Sequence, residues 1–325
     1  MSSFTRRDFL HHSSRLLAGT AAAVLSRGAV AGEKSARLAL ACGDATLSHV
    51  KQADCWAALK SIGAEGVEAT IAEDMSLPRL FHPTRKYSAA TPDDLAMLKA
   101  DMQAAGCKIT AFAMHNKFDV QPEAEIEWTA KTARAAQALG VPAIRIDVVN
   151  RKVDASDFLQ FAIETLKKVM AATESTGIVF GVENHGKTTN DPEFLDALFA
   201  GVGSARLGLT LDTGNFYWFG HPLSKVYGLF EKFAPRVFHT HCKSIKYPAD
   251  QRDVQRPMGW KYGEFSCPID QGDIDFHRVV KILRGAGYKN DLNIEDESLG
   301  KLAESERAAA LAREIQYLKR CLASA

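Results

Sequence analysis

Four residues with acid or imidazole side chains close four hydrophobic runs in the second half of the chain. Glu183 ends Val179-Phe180-Gly181-Val182-Glu183, and Asp212 ends Leu207-Gly208-Leu209-Thr210-Leu211-Asp212. His241 ends Val237-Phe238-His239-Thr240-His241, and Glu295 ends Leu292-Asn293-Ile294-Glu295. They stand 29, 29 and 54 residues apart, and one strand–helix unit takes about 30 residues. The first three therefore mark one height on successive strands, and the fourth follows an insertion. Three carboxylates brought to one place repel one another unless a cation neutralises them. Carboxylate oxygens with one imidazole suit a single divalent ion, Mn²⁺ first, with Mg²⁺, Co²⁺ or Zn²⁺ as alternatives. A strand-end Asp alone reads as a cap or turn residue. Four such residues at matching strand ends point to a metal site.

Other polar residues fall close to the same ends. Asn184 and His185 follow Glu183, Asn215 lies three residues past Asp212, and Lys243 lies two past His241. Each is a candidate substrate contact, with Lys243 suited to an oxyanion or hydroxyl. His115 and Glu68 lie at or near earlier strand ends and could close a pocket from the other side. Arg145, inside a strand, reads as an interior residue paired with an acid. Trp56, Trp218 and Trp260 read first as core or lid residues, although their faces could stack on a sugar ring.

The elements that must position these residues alternate regularly. β-rich runs fall at Arg37 to Ala41, Gly66 to Thr70, Lys108 to Met114, Ala143 to Val149, Ile178 to Glu183, Arg206 to Leu211, Arg236 to His241 and Asp291 to Glu295. Helical patterns fall between them, at Asp54 to Ile62, Pro92 to Ala105, Pro122 to Leu139, Ser156 to Thr173, Pro192 to Phe199, Leu223 to Phe233, Ile274 to Ala286 and Leu302 to Leu322. Eight strand–helix pairs in this order predict an α/β fold, a single-domain (β/α)₈ TIM barrel over residues 32–325. A doubly wound open sheet would want a glycine-rich phosphate turn after its first strand, and Ala41-Cys42-Gly43-Asp44 is not one. The longest irregular stretch, Lys243 to Asp273, follows the seventh strand and reads as a lid over the face where barrels do chemistry.

With 40 basic and 39 acidic residues and a net charge of +1, the chain lacks the electrostatic footprint of a nucleic-acid or anionic-membrane binder. A small polar substrate fits this balance better. Thr5-Arg6-Arg7-Asp8-Phe9-Leu10, the apolar stretch Leu16 to Leu25 and Ala29-Val30-Ala31 occur in the order of a twin-arginine signal peptide. Residues 1–31 are thus expected to engage the twin-arginine export machinery and to be removed in the periplasm. The apolar stretch is shorter than the roughly 20 residues a membrane anchor needs. The 6 cysteines are widely and irregularly spaced, and no disulfide is expected. Self-association is left open.

The mature chain resembles the xylose isomerase-like barrel family, commonly called sugar phosphate isomerases/epimerases. The resemblance is most specific in Val182-Glu183-Asn184-His185-Gly186, Leu211-Asp212-Thr213-Gly214-Asn215, His239-Thr240-His241-Cys242-Lys243, Gly272-Asp273-Ile274-Asp275-Phe276 and Asn293-Ile294-Glu295. It implies that Glu183, Asp212, His241 and Glu295 are the metal ligands, and that Glu183 and Glu295 are also the acid/base pair. The implied chemistry is isomerisation or epimerisation of a sugar or sugar derivative by proton transfer through a metal-stabilised enediolate. A lyase or hydratase acting on a keto-sugar or 3-keto-glycoside is the alternative, since an enolate can expel a β-substituent. A non-catalytic, metal-bearing sugar-binding barrel is an alternative of another class. A repair nuclease on the same barrel would carry more ligating histidines and a basic groove. The chain departs from the family pattern at Asn215, where many relatives have His, at Ser244, where they have Asp, and at Gln271. Nothing in it resembles a phosphate cradle, so the phosphate in the family name does not carry over to the substrate.

Overall fold

Strands that read as unbroken apolar runs need cover on both faces, and a parallel sheet wrapped by helices supplies it. In the computed structural model, which describes residues 37–325, the runs form that sheet. The twin-arginine segment and its cleavage site lie outside the described residues. Seven strands come first, β1 (Ala39–Gly43), β2 (Gly66–Thr70), β3 (Lys108–Met114), β4 (Ala143–Ile146), β5 (Val179–Glu183), β6 (Leu207–Asp212) and β7 (Val237–His241). Two short strands, β8 (Ser244–Ile245) and β9 (Ser266–Cys267), precede β10 (Asp291–Ile294). The eight long-range partners run in the order β10-β1-β2-β3-β4-β5-β6-β7, all parallel.

The sheet closes where β7 meets β10. Cys242 bridges Ile294 in parallel, with its N–H donating to Asn293 O at 2.7 Å and its carbonyl accepting from Glu295 N at 3.2 Å. Below that bridge the Thr240 hydroxyl replaces ladder bonds, donating to Asp291 O and accepting from Asn293 N. The result is an eight-stranded TIM barrel, and Leu38–Ala325 forms one compact unit.

The helices are α1 (Asp44–Leu47), α2 (Cys55–Ile62), α3 (Pro92–Ala105), α4 (Pro122–Leu139), α5 (Phe158–Ala172), α6 (Pro192–Val202), α7 (Asn215–Trp218), α8 (Leu223–Phe233), α9 (Tyr262–Phe265), α10 (Phe276–Gly285) and α11 (Glu304–Ser324). α1, α7 and α9 are single turns; the others cover the barrel. α3 shows why these starts are legible: Thr91 caps Asp94 N, Asp94 bonds back to Thr91 N, and Pro92 opens the first turn. Among the described residues no helix is long and apolar enough to cross a membrane.

Several boundaries differ from expectation. β1 begins at Ala39 rather than Arg37, because its register with β10 starts at the Ala39–Asp291 pair. β4 ends at Ile146, and Asp147 turns to meet Arg145. Lys243 to Asp273 is not irregular: β8 and β9 pair antiparallel there. Arg256 fixes the stretch between them, its guanidinium 4.6 and 4.3 Å from the Tyr217 and Tyr247 ring centres. Gly272 is needed because a Cβ there would lie 1.9 Å from Ser244 Oγ. Asp273 accepts from Tyr247 N and from the Tyr217 hydroxyl.

Candidate metal centre

Interior positions alternate along a strand, so His239 and His241 of β7 point into the barrel, as do Asp291 and Asn293 of β10. At the C-terminal end, Glu183, Asp212, His241 and Glu295 each offer a ligand atom, and these atoms lie within 4.8 Å of one another. The first three close their strands, whereas Glu295 stands one residue beyond β10. His241 Nδ1 lies 3.2 Å from Glu183 Oε1 and 3.3 Å from Glu295 Oε2. Three of the side chains are at most 3% exposed, and Glu295 is 28% exposed, which leaves one edge open.

Asp212 and Glu183 are held from behind. Asp212 Oδ1 accepts from Gly214 N and Asn215 N at 2.8 and 2.9 Å. Glu183 Oε2 meets Arg145, whose guanidinium also contacts Asp147 at 3.0 Å; Arg145 is therefore the acid-paired interior residue its position suggested. A Cβ on Gly181 would lie 2.3 Å from Thr210 Oγ1 and 2.7 Å from Thr210 N. Only glycine lets β5 approach β6 closely enough to bring Glu183 beside Asp212.

The donor set fits one divalent cation. Asp212 Oδ2 and Glu295 Oε2 are buried oxygens with no hydrogen-bond partner. Lys243 Nζ lies 3.0 and 2.8 Å from them, as an ion contact outside hydrogen-bond geometry. A second group, Glu68, His239 and His241, is equally close, but its atoms satisfy one another directly. His239 Nε2 and His241 Nε2 lie 3.1 and 2.8 Å from Glu68 Oε1.

The charges follow from this packing. Burial pushes Glu183 up, but Arg145 and His241 outweigh it and hold the carboxyl well below the usual range. Burial likewise acts on Glu295, which His241 and Lys243 nonetheless hold down at about 2. For Asp212 burial wins over Lys243, and with Glu295 and Glu183 nearby the group rises to about 7. Burial disfavours the Lys243 ammonium, yet Asp212, Glu295 and Glu297 keep it charged.

The candidate substrate contacts divide. His185 is exposed at the mouth with Nδ1 3.7 Å from Glu183. His115 is also exposed, 3.5 Å from Asp147. Asn215 Nδ2 lies 3.4 Å from Glu183 Oε1. Lys243 is buried among acids rather than solvated, and also donates to Glu297 at 2.9 Å. Two further candidates sit within the barrel wall. Asn184 is fully buried and grips the Asp212 backbone, donating to its carbonyl at 2.9 Å and accepting from its N–H at 2.8 Å. It holds the ligand strand and does not face the mouth. Glu68 is engaged by two imidazoles, which places it behind His241. Trp56 is buried and donates to the Tyr87 hydroxyl, and Trp260 stacks on Phe265.

Sequence reading missed His239, Asp291, Glu297 and Tyr262. The two-residue alternation on β7 and β10 could have found the first two, since they share a face with His241 and Asn293. Tyr262 of α9 meets Glu297, beyond β10, a contact no local pattern encodes.

Comparison with known proteins agrees with this architecture. A family model described as "Xylose isomerase-like TIM barrel" matches residues 56–321. An inosose dehydratase of Klebsiella pneumoniae is 34% identical over 119 residues, 35% of this chain and 40% of that protein. The chain thus spans about two fifths of the length of that curated relative. Among solved structures, the IOLI protein with a bound zinc atom superposes with a TM-score of 0.64 at 17% identity, covering 87% of this chain and 99% of that one. An L-ribulose 3-epimerase superposes with a TM-score of 0.59 at 14% identity, covering 88% and 95%.

Proposed function

The chain belongs to the xylose isomerase-like TIM barrel family, and from that premise we propose that it is a divalent-metal-dependent enzyme that moves a proton beside the carbonyl of a sugar or sugar derivative. The observation that carries this reading is the convergence of three carboxylates and one imidazole within 4.8 Å at the C-terminal end of the barrel. Glu183, Asp212, His241 and Glu295 would hold the ion. When bound, it supplies Lewis-acid stabilisation of negative charge developing on substrate oxygens. Glu183 and Glu295 form the acid/base pair: one takes the proton from the carbon, and the other, or a water, returns one. His185, Asn215 and His115 line the approach, and the Lys243 ammonium lies against Asp212 and Glu295.

Isomerisation or epimerisation follows when the proton returns to carbon. Elimination follows when a β-hydroxyl leaves instead, and the dehydratase name of the relative favours this second reading. Proton NMR in D₂O over a panel of sugars, keto-sugars and 3-keto-glycosides, with Mn²⁺ or Zn²⁺ added, tests both. Deuterium entering a product of unchanged formula marks epimerisation or isomerisation, whereas loss of water or of an aglycone marks the lyase. No exchange and no product with any member would remove the proposal.

Residues 1–31 are proposed as a twin-arginine signal, which places the mature enzyme, residues 32–325, in the periplasm. Replacing Arg6 and Arg7 by Lys should trap the precursor in the cytoplasm, read by cell fractionation. Unchanged export would contradict the assignment.

A further inference from the structure

A line of buried polar side chains runs from the N-terminal end of the barrel to the metal centre. The Tyr288 hydroxyl donates to Asp291 Oδ1 at 2.8 Å. His239 Nδ1 lies 3.0 Å from that same oxygen, and its Nε2 lies 3.1 Å from Glu68 Oε1. Glu68 Oε1 in turn meets His241 Nε2 at 2.8 Å, while Asn293 Nδ2 approaches Glu68 Oε2 at 3.4 Å. His239, Asp291 and Asn293 are fully buried, and Glu68 is 6% exposed.

This arrangement restricts His241. A carboxylate only accepts, so the ring nitrogen facing Glu68 must carry the hydrogen. Nδ1 also faces a carboxylate, Glu183 Oε1 at 3.2 Å, so with a cation seated between Glu183 and Glu295 it is Nδ1 that gives up its hydrogen and turns its lone pair to the ion, while Nε2 keeps its own. A histidine ligand's second nitrogen commonly sets its tautomer and orientation through such a partner.

We propose that Glu68 is a positioning residue: held by His239, which Asp291 and Tyr288 anchor, it fixes His241 with Nε2 protonated and Nδ1 directed at the cation. The inference rests on the reading of the four-residue centre as a cation site, and its test separates the two. Metal-free wild type and Glu68→Gln are titrated with Co²⁺ alone and followed by visible absorption. Wild type is expected to bind one ion. Glu68→Gln, folded by circular dichroism, is expected to bind about 10- to 100-fold more weakly with altered absorption bands. Wild type that binds no Co²⁺ overturns the cation site and the inference together. Equal affinity and an identical spectrum in the folded variant overturn the inference alone. ¹⁵N-histidine NMR of the Zn²⁺-loaded wild type keeps the proposal testable should the variant not fold. Protonated Nε2 and coordinated Nδ1 on His241, assigned by loss of its signals in His241→Asn, support it; the reverse tautomer overturns it.

Discussion

At the scale of single residues, Lys243 has the least ordinary surroundings. Its ammonium is buried within 3.0 Å of carboxylate oxygens from Asp212, Glu295 and Glu297, so it supplies positive charge where a cation is also expected. Removing one partner from a buried ionic cluster costs about 3–5 kcal/mol. Lys243→Met should therefore lower thermal stability by that order in the presence of a chelator. The deficit should shrink when a divalent ion restores the missing charge. A deficit of equal size with and without the ion would show that Lys243 and the ion do not share these oxygens. Glu183→Gln and Glu295→Gln should each lower kcat by about 100-fold or more, the usual share of a general acid or base, and steady-state kinetics reads this directly. The convergence of Glu183, Asp212, His241 and Glu295 was legible because spacing and strand-end position constrain them jointly. Adjacency to Glu183 in the sequence says nothing of the Asn184 side chain's grip on the Asp212 backbone. The contacts of Glu68 with β7 were not legible, since its partners there are 171 and 173 residues away.

Secondary-structure elements bring those residues together through a few tight approaches. The pairing of β5 with β6 at Gly181 is one, and Gly181→Ala would force the strands apart. An overpacked core costs typically 1–3 kcal/mol, so chemical denaturation should show a loss of about that size together with weaker metal binding. A stability loss without any change in metal affinity would uncouple this approach from the site. Asp44 links α1 to the end of β2, accepting from Thr70 N and Oγ1 at 2.6 and 2.8 Å. Burial, opposed by those bonds and by Arg79 and reinforced by Glu68, pushes its carboxyl up to about 6. A raised carboxyl binds its proton more tightly when folded, so its contribution to stability is present at low pH and is lost as pH rises from about 4 through 6. Relative to Asp44→Asn, the wild type should lose roughly 3 kcal/mol across that window. A difference that does not vary with pH would contradict the raised carboxyl. Helix starts such as Thr91-Pro92 were legible to the residue, because capping chemistry is local. The order within Lys243 to Asp273 was not, because the Arg256 stack on Tyr217 and Tyr247 depends on long-range packing.

Across the whole molecule, the alternation of strands and helices made the eight-stranded barrel legible, whereas its closure by the single Cys242–Ile294 bridge was not. The four candidate ligands come from β5, β6, β7 and the residue after β10, so an ion held by them would tie the closing seam to its neighbours. An ion bound there should stabilise the folded chain. At about 100-fold above its dissociation constant the gain is about 2.7 kcal/mol, or a rise in Tm of roughly 5 °C for a domain of this size. Differential scanning calorimetry with and without chelator checks this. The central claim is that these four side chains act as one cation site. Calorimetric titration of the metal-free protein with Mn²⁺ and with Zn²⁺, run beside the folded Asp212→Ala and His241→Ala variants, tests it most directly. One ion per wild-type chain and a loss of binding in both variants is the expected result; no binding to the wild type, or undiminished affinity in the variants, would contradict it.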